Sequence, residues 1–162
     1  MKDIFLKLKN LLAGQWEGEG FAQYPTIDNT AYTEKMIIMP DKYKDAVFFE
    51  QKTFYKNDKE TNGQTLFWDT GFIVLREDKI LLISSQISGR QETYEYTETA
   101  FEGFTFNSTS IVNDTKQIIV SQRVFIPAVN ELNYTLSMAA QGNAFQNHLA
   151  ATLKRSGDIS FG

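Results

Sequence analysis

From Gln15 to Arg155 apolar and polar residues alternate in short runs, the period-2 pattern of half-buried β-strands. The runs are Gln15–Phe21, Tyr32–Met39, Ala46–Tyr55, Thr65–Leu75, Lys79–Ser85, Arg90–Glu98, Gly103–Asn107, Lys116–Ile126, Glu131–Ala140 and Asn147–Lys154. Turn-forming residues separate them: Pro40-Asp41, Asn57-Asp58-Lys59, Asn62-Gly63, Glu77-Asp78, Ser88-Gly89, Asn113-Asp114 and Gln141-Gly142-Asn143. About ten strands with mostly hairpin-length links and no βαβ rhythm predict an all-β fold, an antiparallel up-and-down β-barrel. The period changes only at the start, where Ile4, Phe5, Leu8, Leu11 and Leu12 recur at three- and four-residue spacing. Residues 2–12 therefore read as a short amphipathic helix, with Gly14 suited to its exit, placed to close one mouth of the barrel. Side chains from the walls of so wide a ring need not meet, so an internal cavity is expected. A β-sandwich with a filled core fits the same strands and stays open as the alternative.

Length and composition narrow the class. A chain of 162 residues holds one ordinary domain, expected over 1–155, with the small and polar 156–162 fraying as a tail. Thirteen Phe, seven Tyr and two Trp favour strands, where rings pack across neighbouring positions. A formal charge of −4, from 20 acids against 16 bases, argues against nucleic acid or an anionic membrane as partner. Without cysteine there is neither a disulfide nor a thiolate ligand. Lysines interrupt the first apolar run before a signal-peptide core or a membrane span could form, so a cytoplasmic protein is the simplest reading. A homodimer is left open.

Candidate chemistry centres on the one histidine, His148. Strict alternation places His148, Ala150 and Thr152 on one strand face and Leu149, Ala151 and Leu153 on the other. Two small neighbours leave room beside the imidazole for a large planar ligand; a hydrogen-bonded structural histidine is the plainer alternative. Ser84 and Ser85 lack a nucleophile-elbow context, and a single histidine without cysteine excludes a multi-histidine zinc centre. Iron already held by a porphyrin needs one protein ligand, which raises haem above zinc.

Other segments carry weaker signals. The glycines of Gly14-Gln15-Trp16-Glu17-Gly18-Glu19-Gly20 permit close approach of backbone or ligand, or a bent first strand with Trp16 against the helix. Thr26, after Pro25, offers a hydroxyl near the rim, and Lys116 stands where it could pair with a ligand carboxylate. Arg123 reads as a buried ion-pair partner of an acid such as Glu50 or Asp69, and Met36, Met39 and Met138 as core fillers.

Leu12-Ala13-Gly14-Gln15-Trp16-Glu17-Gly18-Glu19-Gly20 with Tyr24-Pro25-Thr26-Ile27 resembles the opening of the nitrobindin family of haem-binding β-barrels. The resemblance continues through Trp68-Asp69-Thr70-Gly71-Phe72 and Glu131-Leu132-Asn133-Tyr134 to His148-Leu149-Ala150-Ala151-Thr152-Leu153-Lys154-Arg155, covering roughly 8–155. It implies a ten-stranded barrel shaped like a fatty-acid-binding protein, holding b-type haem through His148 as axial iron ligand, with Thr26 and Lys116 at haem-contact positions. It further implies binding of nitric oxide, or of another small gaseous or reactive nitrogen ligand, and haem-dependent isomerisation of peroxynitrite to nitrate. Phe67 stands where a common family pattern has histidine; if it faces the haem, it makes the pocket drier and removes a proton-handling group. The competing function is a non-enzymatic carrier of a fatty-acid-like or other apolar small molecule.

Overall fold

Ten antiparallel strands close into a barrel in a computed structural model that describes residues 1–24 and 27–159. The helix α1 (Lys2–Leu12) comes first. It is followed by β1 (Gly14–Tyr24), β2 (Ile27–Pro40), β3 (Ala46–Tyr55), β4 (Thr65–Arg76), β5 (Lys79–Gln86), β6 (Gln91–Thr97), β7 (Phe104–Val112), β8 (Ile118–Pro127), β9 (Glu131–Ala140) and β10 (Gln146–Gly157). Each strand pairs with the next, and β10 returns to β1, so the meander has no free edge. The filled sandwich is thereby excluded. β3 and β9 have the bounds that alternation predicts, whereas β7 runs on to Val112 and β8 starts two residues after Lys116. Positive φ angles at Asn113 and Gln117 mark a turn there that the Ile- and Val-rich run conceals. β10 reaches Gly157, two residues beyond Arg155.

α1 closes one end as its pattern requires. Phe5, Leu8 and Leu12 turn inward and are fully buried, while Lys2 and Lys9 reach the β2–β3 turn at Asp45 and Asp41. Trp16 packs under the helix, and its indole N–H donates to the Leu12 carbonyl at 2.9 Å. Arg155 lies 4.3 Å from the Trp16 ring and donates to the Ala13 carbonyl at 2.6 Å, tying the last strand to the helix exit. Gly14 has φ +148°, and a Cβ there would sit 2.3 Å from the Arg155 guanidinium. At Gly20 the close approach is the protein's own: the Tyr32 hydroxyl occupies the space a Cβ would need, 2.4 Å from it.

The interior is graded along the barrel axis. Near α1 it is apolar, with Ile38, Val47, Ile73, Ile80, Leu82, Phe125, Leu132 and Leu153 buried in one core cluster with Trp16. The middle is polar, formed by the inward side chains Glu34, Gln51, Asp69, Ser84, Glu92, Ser121 and Arg123. Beyond that floor, at the end away from α1, the barrel is hollow. Among the described residues no helix is long and apolar enough to cross a membrane.

Candidate functional site

His148 reaches the hollow end through an irregularity in its strand. The β9–β10 register shifts between Asn147 and Leu149, so His148 and Leu149 are consecutive yet both buried, at 5% and 1% exposure. This corrects the face assignment made from alternation. Ala150 and Thr152 point outward, onto a shallow groove on the outer wall shared with Phe21, so their small size is not what makes space for a ligand. The space in front of His148 comes from the barrel's cavity, about 570 Å³, within the range that holds sizeable ligands.

Burial, then the Lys116 charge, then Arg90 hold the imidazole below its ordinary pKa, against a backbone hydrogen bond at Met138 that raises it. At neutral pH His148 is therefore uncharged, the form that ligates a metal. Leu66, Phe67, Ile118, Leu136 and Met138 supply apolar cavity wall. Lys116 lines the mouth from the β7–β8 turn. His148, Phe67 and Lys116 thus meet around one cavity, whereas Thr26 lies outside the described residues. Met36 and Met138 are inward as expected of core fillers, but Met39 is 40% exposed on the outer face of β2.

Two cavity residues, Gln86 and Arg90, were not singled out from the sequence. The phase of β5 contains the clue, because Gln86 continues the inward series Ile80, Leu82, Ser84. Both side chains engage Glu92: the Gln86 amide N–H donates to its carboxylate at 2.9 Å, and Arg90 lies 3.6 Å away while bridging to Asp114 at 3.5 Å. Glu92 leads into the floor, accepting from Ser121 at 3.2 Å and from the Tyr94 hydroxyl. Arg123 chooses Asp69, at 2.6 Å, and approaches Glu92 at 3.5 Å; Glu50 belongs to the outward series of β3. Burial opposes the Arg123 charge, but Asp69, Tyr134, Tyr94 and Glu92 more than offset it, so the guanidinium stays protonated.

These residues fit a haem. The cavity offers apolar walls for a flat macrocycle, a neutral imidazole for its iron, and a lysine at the mouth for a carboxylate. Among the described residues no group of three His, Asp or Glu side chains could hold a bare metal ion, so a metal at His148 has to bring its other donors with it.

Comparison with known proteins agrees with this geometry. Residues 6–155 match the family model described as the THAP4-like, heme-binding beta-barrel domain. A peroxynitrite isomerase of Nocardia farcinica is 32% identical over 151 residues, spanning 89% of this chain and 86% of the relative. Peroxynitrite isomerase 1 of Mycobacterium tuberculosis H37Rv is 30% identical over 153 residues, spanning 89% of this chain and 90% of the relative. The crystal structure of Rv2717c from M. tuberculosis superposes with a TM-score of 0.74 at 28% identity, covering 94% of this chain and 97% of that one. A barrel of the same form, matched by the family model over nearly its whole length, belongs to the THAP4-like haem-binding β-barrel family, the nitrobindins.

Proposed function

We propose that this chain binds b-type haem with His148 as the axial ligand and isomerises peroxynitrite to nitrate. One observation carries the reading: a bulge turns a buried, uncharged imidazole into the wall of a cavity, in a member of a haem-binding family. Relatives named peroxynitrite isomerases support the reaction. Ferric haem, when bound, supplies the centre at which the peroxynitrite O–O bond is cleaved and its fragments recombined as nitrate, with no net oxidation or reduction.

The chain's own residues do the rest. His148 is a ligand and not a base; its interaction with the Met138 backbone orients the ring, as partners of metal-bound histidines do. Lys116 pairs with a propionate at the mouth, and Thr26 helps to orient the macrocycle. Leu66 and Phe67 make the β4 part of the cavity wall apolar and would keep water from a haem held there.

The carrier reading draws on the same apolar wall and the same Lys116 at the mouth, but deeper in the barrel a carboxylate would find the cations engaged. Arg123 is paired with Asp69, and Arg90 lies between Glu92 and Asp114. Haem titration of the wild type and His148→Ala separates the readings. Loss of the ligand should weaken haem binding by more than the ~10–100-fold that loss of a ligand-orienting partner costs, and should change the Soret band. Equal affinity and identical spectra would remove the ligation. Stopped-flow mixing of the ferric protein with peroxynitrite should give accelerated decay, chiefly to nitrate; decay no faster than with apo-protein removes the isomerase activity.

A further inference from the structure

We infer that Gln86 is the protein's hydrogen-bond donor to a small ligand on the side of the cavity facing away from His148, with Glu92 as the residue that positions it. The inference rests on the haem reading above. β10 and β5 lie five strands apart in either direction round the ten-stranded ring, so His148 and Gln86 occupy opposite walls. Gln86 is 6% exposed, lines the cavity, and has apolar neighbours in Leu66, Phe67 and Ile87. Its amide thus stands beside apolar side chains, with Ser88 and Arg90 as further polar groups on the cavity lining, out of bulk water, where a hydrogen bond is stronger.

Glu92 decides which way that amide faces. Its carboxylate is surrounded by donors and cations: Ser121 at 3.2 Å, the Tyr94 hydroxyl, Arg123 at 3.5 Å and Arg90 at 3.6 Å. An amide oxygen turned towards it would be repelled, so Gln86 presents its nitrogen, at 2.9 Å. One N–H is used there, and a primary amide has a second. That second N–H, held in place before a ligand arrives, stabilises negative charge on a ligand oxygen without reorganisation at the moment of reaction. Peroxynitrite is an oxygen-rich anion and suits such a donor. Arg90 also lines the cavity here but is held between Glu92 and Asp114, and Phe67 shares the wall, which leaves the Gln86 amide, a donor that cannot exchange its role with pH.

The infrared stretch of carbon monoxide bound to the ferrous haem protein reads the donor directly, and azide affinity of the ferric form reads it for an anion. Gln86→Leu should shift the carbonyl stretch to higher frequency and weaken azide binding about tenfold. Gln86→Asn, which keeps the polarity but withdraws the amide by one methylene, should shift both in the same direction and serves if the leucine variant does not fold. Glu92→Gln should split the carbonyl band in two, because the Gln86 amide is then free to flip. A wild-type Soret band with stretch and azide affinity unchanged in the Gln86 variants overturns the donor role and leaves the haem reading intact. A single unshifted band in Glu92→Gln overturns the positioning role. No Soret band in haem-treated wild type overturns the haem reading, and this inference with it.

Discussion

His148 could be found in the sequence, but its surroundings could not. Its identity as the sole histidine made it a ligand candidate, and alternation then put it beside Ala150 and Thr152. The bulge between Asn147 and Leu149 reverses that assignment, and a bulge without glycine leaves no mark in the residues themselves. What alternation hides, titration can reveal. The imidazole pKa should lie below its ordinary 6.5, because burial and then Lys116 oppose the charged form. Between the folded pKa and 6.5 the unfolded chain binds more protons, so this contribution to stability is complete above 6.5 and is lost as pH falls through the folded value. Histidine NMR of the apo-protein checks the shift; a midpoint at or above 6.5 contradicts it. In the haem complex, proton competition for His148 should begin only below that pH, followed by the Soret band.

At the scale of elements the sequence was far more legible, because period and turn chemistry agree along most of the chain. The helix shows this best: its three- and four-residue spacing delivers Phe5, Leu8 and Leu12 to the closed end of the barrel. Strand ends were less legible where a turn is built from residues that also suit strands, as at Lys116-Gln117 before β8. α1 and the cavity lie at opposite ends, which makes a separable prediction. Leu8→Ala removes a fully buried side chain from the plug and should cost about 2–5 kcal/mol of unfolding free energy, measured in urea. Haem affinity of the folded variant should stay within about twofold of wild type, a difference of ~0.4 kcal/mol. A tenfold loss of haem affinity with little loss of stability would show that the helix shapes the cavity and does not merely close the far end.

For the whole molecule, the part hidden from sequence reading is the polar floor that separates the apolar end from the cavity. Arg123 was legible as an ion-pair partner of Glu50 or Asp69, but Glu34, Gln51 and Glu92 were not: they sit in phase with inward residues, whereas polar and charged side chains on a strand ordinarily read as its solvent face. Only closure of the ring, which brings Asp69 of β4 to Arg123 of β8, makes burial of those charges tolerable. Among the described residues Glu34 makes no salt bridge, and the Arg123 charge acts on it only as the smallest of the influences that lower its pKa. It is 1% exposed, receives the Gln51 amide at 2.8 Å, and burial pushes its carboxyl up to about 8 despite hydrogen bonds from Gln51 and Tyr32. At neutral pH the folded protein therefore keeps a proton on Glu34 that the unfolded chain, with the ordinary value of 4.5, has released. The folded state binds more protons across that interval, so this group makes stability fall as pH rises from 4.5 towards about 8, by up to ~1.4 kcal/mol per pH unit. Glu34→Gln imitates the protonated acid and keeps an acceptor for Gln51, so it should fold, flatten this slope and gain most over wild type at pH 8 and above. Urea unfolding at a series of pH values measures it. A wild-type and Glu34→Gln difference that does not change with pH would mean that Glu34 is ionised in its buried site, with a counter-charge drawn from the floor beneath the cavity.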